Sequence, residues 1–293
     1  MNGYFEGWYY RQRSPEGTVA LIPAYHRDAE GREFASLQIL TQEASYRWQF
    51  DDFFHKNGVF RMGGHRFSRQ GLHLSGQQDG VEVKGWLRLR ERTPLPYDIM
   101  GPFRLVPFMQ CRHSVFSMTH RVDGFLQIDG HLYRFDHSPG YMEGDRGSSF
   151  PGRYIWTQAN WKGNSIMLSA ADIPLAGRSF TGCIAALYVN GRHFRMATYT
   201  GARVDDAGPG SLTLRQGYLC LEADTFGPPS APQLWAPQQG AMSRTVHENV
   251  SCPVRYRLWN RGNLVLKVVC RHAAFESDWN SSIQTASHAA PGA

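Results

Sequence analysis

The sequence predicts an all-β protein made of two antiparallel lobes, barrels or half-barrels packed side by side, with little helix. Three observations carry this expectation. Helical periodicity is almost absent, while short apolar and polar alternations recur along the whole chain, which is the period of a half-buried strand. The 30 glycines and 16 prolines are spread through all 293 residues as turn punctuation and do not gather in a linker. Aromatic residues make up 13% of the chain, a composition suited to the interior of many short strands.

Taken in order, the chain opens with Gly3-Tyr4-Phe5-Glu6-Gly7-Trp8-Tyr9-Tyr10. Strand alternation puts Tyr4, Glu6, Trp8 and Tyr10 on one face and Phe5 and Tyr9 on the other. A carboxylate among aromatics on one face either caps a buried network or takes part in chemistry. Hairpins follow, with turn signals at Ser14-Pro15-Glu16-Gly17, Asp28-Ala29-Glu30-Gly31 and Gln78-Asp79-Gly80 bounding strands such as 19–22 and 34–40. The segment from Thr93 to Met109 is apolar but broken by prolines, which predicts a long loop able to cover the mouth of a barrel. Strands resume at 113–122 and lead through the turns Asp123-Gly124 and Asp129-Gly130 into the middle of the chain. Further strands are expected at 165–170, 180–189, 194–200, 212–214, 218–223, 243–246, 254–258 and 264–269. About twenty short strands are too many for one small barrel and suit two lobes. The expected division is 1–138 and 139–276, with a polar, disordered tail over 277–293.

The stretch from Gly140 through Glu143, Gly144, Asp145 and Arg146 to Pro151, followed by Tyr154 to Asn160, concentrates the chemistry. In an extended strand Tyr141, Glu143 and Asp145 share a face, so two carboxylates become neighbours and one of them should hold its proton more tightly. A protonated carboxyl at neutral pH is what a proton-donating enzyme needs. Arg146 opposes this if it turns back onto Asp145. In the next strand Tyr154, Trp156, Gln158 and Asn160 share a face, an aromatic wall ending in amides. His137, three residues upstream, is placed to hydrogen-bond one of the acids. The same residues also describe a solvated surface turn, and composition alone does not separate the two.

The net charge of +6 comes from single arginines alternating along strands, not from a basic run. A nucleic-acid surface is not expected, and contact with an anionic membrane surface is a secondary expectation. Five cysteines without paired spacing, and a beginning unlike a signal or transit peptide, lead to a cytoplasmic expectation. The twelve histidines match no familiar metal signature. No Gly-x-Ser-x-Gly elbow and no phosphate loop is present, so neither a serine hydrolase nor nucleotide binding is indicated.

Several blocks together carry a resemblance. They are Tyr4 to Tyr10; Pro107-Phe108-Met109-Gln110-Cys111 with His113 and Ser117-Met118; Gly140 to Glu143 with Gly147 to Pro151; and Trp156 to Asn160. Ser179 to Gly182, Ala197 to Ala202 and Thr245-Val246-His247-Glu248 follow. In this order the chain resembles the tocopherol cyclase-like family from about residue 3 to about 276. The resemblance implies a lipocalin-like, two-lobed β architecture. It implies closure of a ring by protonating a prenyl-chain double bond, with a phenol oxygen trapping the cation. Neither a redox cofactor nor a metal is implied. Where the family has a basic residue after the Glu and a tryptophan after the Asp, this chain has Gly144 and Arg146.

The expectation that follows is an acid-catalysed cyclase acting on a prenylated, lipophilic phenol or quinol. Asp145 or Glu143 is the expected proton donor, Glu6 and His137 tune it, and Tyr4, Trp8, Tyr141, Arg146, Trp156, Gln158 and Asn160 hold the substrate. The alternatives are a hydratase using the same cation, and a non-catalytic carrier of a lipophilic ligand.

Overall fold

The computed structural model describes residues 3–107, 109–175, 178–227 and 232–279. Its first antiparallel sheet contains β1 (Tyr4–Ser14), β2 (Gly17–Arg27), β3 (Glu33–Leu40), β4 (Ser45–Phe50), β5 (Phe53–Lys56), β6 (Val59–Met62), β7 (His65–Ser68), β8 (Gly71–Gln78), β9 (Val81–Arg90), β10 (Cys111–Ile128) and β11 (His131–Gly147). The second contains β12 (Tyr154–Trp161), β13 (Asn164–Leu175), β14 (Arg178–Val189), β15 (Arg192–Ala197), β16 (Arg203–Gly208), β17 (Ser211–Gln216), β18 (Leu219–Thr225), β20 (Ala241–Asn260) and β21 (Asn263–Ser277), with β19 (Gln233–Gln238) paired to β20.

Both sheets are wound the same way. Each runs as a meander in which the first strand pairs with the last, β1 with β11 and β12 with β21. The edge strands of the first sheet are β4 and β5, which only Asp51 and Asp52 separate. Three chain steps span at most about 11 Å, so the edges of this sheet must lie side by side although no ladder joins them. The second sheet brings β15 and β16 together through 198–202 in the same manner. Two rolled half-barrels result, in agreement with the expected all-β, two-lobed class.

Each roll has its own core. Trp8, Tyr10, Leu37, Phe60, Phe67, Leu126 and Met142 fill the first, and Ile155, Leu168, Leu187, Leu221, Val254 and Tyr256 fill the second. A third cluster, with Tyr9, Met118, Tyr141, Tyr154, Trp156, Met167 and Val246, lies between the lobes. Consecutive residues of β1 and β11 therefore go to different cores. Trp8, Tyr10 and Met142 point into the first roll, while Tyr9 and Tyr141 point at the other lobe. Both faces of these central strands are buried, as in sheets covered on both sides.

The division expected at 138/139 falls inside β11, which continues unbroken to Gly147; the chain changes sheet between Gly147 and Tyr154. Pairing of β11 with both β1 and β10 holds it in the first sheet over this length. The last strand reaches Ser277, and residues 280–293 of the expected tail lie outside the described residues. The proline-broken segment is indeed a loop with one short 3-10 turn at Gly101–Leu105. Its Ile99, Met100, Phe103 and Met109 pack into the inter-lobe cluster, and the Tyr199 hydroxyl donates to the Ile99 carbonyl at 2.8 Å. Among the described residues no helix is long and apolar enough to cross a membrane.

Candidate functional site

A cleft of about 200 Å³ opens between the lobes, walled by Phe5, Tyr9, Phe150, Tyr154, Trp156 and the loop residues Met100, Phe103 and Met109. Strand register sets what faces it. In the first sheet Gly7, Asp145 and His113 lie side by side across β1, β11 and β10. The next row pairs Tyr9 with Glu143. In the second sheet Glu248 of β20 and Glu276 of β21 are cross-strand partners, and Glu276 is also paired with Trp156 of β12. Gly7 and Asp145 both line the cleft.

On the first sheet the acids form an ion-paired cluster. His113 Nδ1 lies 3.0 Å from Asp145 Oδ1, and His113 Nε2 lies 3.3 Å from Glu143 Oε2. Glu143 is 6% exposed and also accepts the Tyr141 hydroxyl at 2.5 Å and the Trp156 indole N–H at 3.2 Å. Burial opposes a charged imidazole at His113, but the two carboxylates together outweigh it and hold its pKa well above the ordinary histidine value. The pair of carboxylates thus favours the imidazolium form of His113.

On the second sheet the acids have no such cation. Glu248 and Glu276 are 1% and 8% exposed. Tyr9 donates its hydroxyl to Glu248 and Tyr154 donates to Glu276. Burial pushes Glu248 up to about 7 against the help of Tyr9 and Arg11, with Glu143 adding to the rise. Burial and then the nearby Glu248 raise Glu276 well above the carboxylate range. Burial also keeps Tyr9, Tyr141 and Tyr154 protonated. The cleft thus sets two acids bridged by His113 against two carboxyls whose pKa values burial raises, an arrangement that separates acid from base.

The sequence-predicted residues divide. Glu143, Asp145 and Trp156 reach the cleft wall, whereas Trp8 borders it with its side chain packed in the core of the first roll. Tyr141 stands behind Glu143 as its hydrogen-bond donor. Gln158 and Asn160 share the inter-lobe face but sit deeper: Gln158 accepts from Arg11 at 3.0 Å and Asn160 donates to the Met118 carbonyl. Glu6 is turned away, bonded by Tyr4 and lying 3.5 Å from His55. That face of β1 points into the first roll, so neither Glu6 nor Tyr4 tunes the cleft acids or holds a ligand there. His137 is 68% exposed and paired with Asp123 at 2.8 Å; it lies six residues up β11 from Glu143 and eight from Asp145, out of reach of the cleft acids. Arg146 is exposed and paired across the strands with Glu6. It makes no ion pair with Asp145 among the described residues, and His113 occupies that role.

His113, Glu248 and Glu276 are candidate site residues that the sequence reading did not single out. The first two lie inside the blocks that carry the family resemblance. Glu276 offers no signal beyond its strand. As possible ligand sets, His113, Glu143 and Asp145 present ligand atoms within 4.8 Å of one another, and so do Asp123, Asp136 and His137 at the surface.

No family model matches the chain. Tocopherol cyclase, chloroplastic, from Zea mays is 23% identical over 211 residues, covering 66% of this chain and 44% of the relative, so the chain spans less than half the length of that curated protein. Among solved structures, CghA superposes with a TM-score of 0.57 at 12% identity, over 96% of this chain and 90% of that one. AttH from Nitrosomonas europaea gives 0.54 at 11%, over 96% and 93%. Kievitone hydratase from Nectria haematococca gives 0.52 at 10%, over 94% and 88%. These likenesses bear out the two-lobed fold over nearly the whole chain, and the sequence match agrees with the tocopherol cyclase-like resemblance.

Proposed function

We propose that this protein is a tocopherol cyclase-like enzyme that closes a ring on a prenylated, lipophilic phenol or quinol by acid catalysis. One observation carries the reading: neutral carboxyls and an ion-paired carboxylate–imidazolium cluster face each other from opposite sheets across an aromatic cleft. Glu248, protonated near neutral pH, delivers its proton to one carbon of the double bond. A new C–H bond forms from the alkene π pair, and the positive charge appears on the more substituted carbon. The faces of Trp156 and Tyr9 stabilise that cation through their quadrupoles. The phenol oxygen then forms the C–O bond, and its proton passes to the carboxylates around His113. Substrate and product have the same mass.

The cleft volume is below the usual 300–1,000 Å³ of drug-sized sites, so it suits the reacting ring and one prenyl unit, with the remaining chain running towards the mouth under the 93–109 loop. Hydration is the second reading, favoured by the fold shared with kievitone hydratase; there water replaces the phenol and the product gains one water.

Incubating the purified protein with a prenylated hydroquinone and following products by chromatography and mass spectrometry tests the assignment. The wild type should form an isomer of unchanged mass. Glu248→Gln should lower the rate by about 10²–10⁴, the usual loss for a general acid, and Asp145→Asn should lower it as well. Undiminished turnover by Glu248→Gln removes Glu248 from the mechanism. A ligand bound unaltered by every variant leaves the carrier.

A further inference from the structure

The ionisable side chains on the walls of the cleft are almost all acidic. Five carboxyl side chains line it, Glu143, Asp145, Asp172, Glu248 and Glu276, and among the described residues no lysine or arginine does. Two histidines also line it. Burial holds His26 down to about 4, so it is neutral, and His113 is committed to Glu143 and Asp145. Asp172 is neutralised from outside by Arg153 at 2.8 Å. Glu248 and Glu276 are left without a cation in the cleft, and the remaining surface is largely apolar and aromatic.

We propose that the cleft selects lipophilic ligands by charge, taking uncharged or cationic amphiphiles, lipophilic ammonium ions in particular, and excluding lipophilic anions such as fatty-acid carboxylates. The inference rests on the proposed function in that the same site is meant, and it deepens that reading by naming the ligand class. A carboxylate headgroup entering here finds acids and no lysine or arginine to receive it, and burying an unpaired charge is costly. An ammonium ion meets carboxyls and aromatic faces, both of which attract it.

The groups around Glu248 fix the pH dependence. Tyr9 and Arg11 approach from β1, Glu143 from β11 and Glu276 from β21. Arg11 is held by the Val250 and His272 carbonyls and by Gln158, so it does not move to meet the ligand. A bound ammonium favours the ionised form of Glu248 and expels its proton. Alkylamines have a pKa near that of lysine, about 10.4, so the ligand itself stays charged from pH 6 to pH 8.

Isothermal titration calorimetry with N,N-dimethyloctylamine, octanoate and 1-octanol on the full-length wild-type protein tests this. The amine should bind at least tenfold more tightly than octanoate at pH 7.5. Its affinity should rise from pH 6 to pH 8, and binding at pH 6 in buffers of different ionisation enthalpy should show proton release. Octanol should bind without pH dependence. Glu248→Gln should flatten the pH dependence of the amine. Octanoate binding as tightly as the amine, or no binding of the amine, overturns the proposal, and so does an amine affinity in the wild type that is indifferent to pH. These outcomes need no turnover, so a protein that selects the amine but converts no prenylated phenol refutes the cyclase reading and leaves the charge selection standing.

Discussion

At Glu248 the proposed catalytic role and stability oppose each other. Its pKa in the folded protein, about 7, lies above the ordinary 4.5, so the folded state binds this proton more tightly than the unfolded chain. The native state therefore has its full stability below pH 4.5 and loses it as pH rises to about 7. Two to three units correspond to about 3 kcal/mol. Glutamine keeps the shape of the protonated acid without the option of ionising. Glu248→Gln should thus be about as stable as wild type at pH 4.5 and more stable by up to about 3 kcal/mol at pH 8, while losing activity. Urea unfolding at the two pH values measures this, and a variant destabilised equally at both would contradict the assignment of a strained, proton-holding acid. His113 has the opposite chemistry but the same sign. Its raised pKa contributes stability that is full below the ordinary histidine value and fades as pH rises through the folded one. Sequence alternation correctly placed Glu143 and Asp145 together on the outer face of β11. It could not find their partners, because His113 and Glu248 reach them only through strand pairing and lobe contact, at separations no local pattern records.

At the scale of the element, β1 joins the two lobes. Its Tyr9 bonds Glu248 across the interface. Two residues on, Arg11, 3% exposed, donates to the Val250 carbonyl at 2.9 Å, to Gln158 at 3.0 Å and to the His272 carbonyl at 2.5 Å. One guanidinium therefore ties β1 to three strands of the other sheet, and its planar fork suits several carbonyls at once. Arg11→Met keeps much of the volume but leaves those three acceptors buried without donors, at about 1–3 kcal/mol each where water does not reach them. Chemical denaturation should show a loss on the order of 3 kcal/mol; a loss below about 1 kcal/mol would mean that the lobes are held by apolar packing alone. The same strand explains a misreading. Alternation separates Tyr4, Glu6, Trp8 and Tyr10 from Phe5, Tyr9 and Arg11, and the first set looks more functional because it holds a carboxylate among aromatics. Both faces of β1 are buried, however, one in the first roll and one against the second lobe. Periodicity reports that two faces exist and does not say which one meets a ligand. The 93–109 loop was easier to read, since its prolines exclude a strand and its apolar residues require cover.

At the scale of the whole molecule, the two rolls repeat one winding, and the site exists only where they meet. The first sheet supplies the imidazolium-bound carboxylates and the second supplies the protonated ones. Fold class and strand richness were legible because turn residues and two-residue periods act locally. The change of sheet between Gly147 and Tyr154 was not, because Gly144 and Gly147 mark an irregular strand without marking its end. Family resemblance implied a two-lobed architecture and pointed to the proposed chemistry, and the geometry added which acids burial favours in the protonated form. The central claim is that this interface adds a proton to a carbon–carbon double bond. Running the reaction on a prenylated hydroquinone in deuterium oxide tests it most directly, by counting the deuterium that product carbon retains after exchange back into ordinary water. Acid-catalysed closure predicts one solvent-derived deuterium bound to carbon in each product molecule, and its loss in Glu248→Gln together with turnover. Product that carries no deuterium on carbon, or a prenylated hydroquinone recovered unchanged from the wild-type protein, would contradict the account.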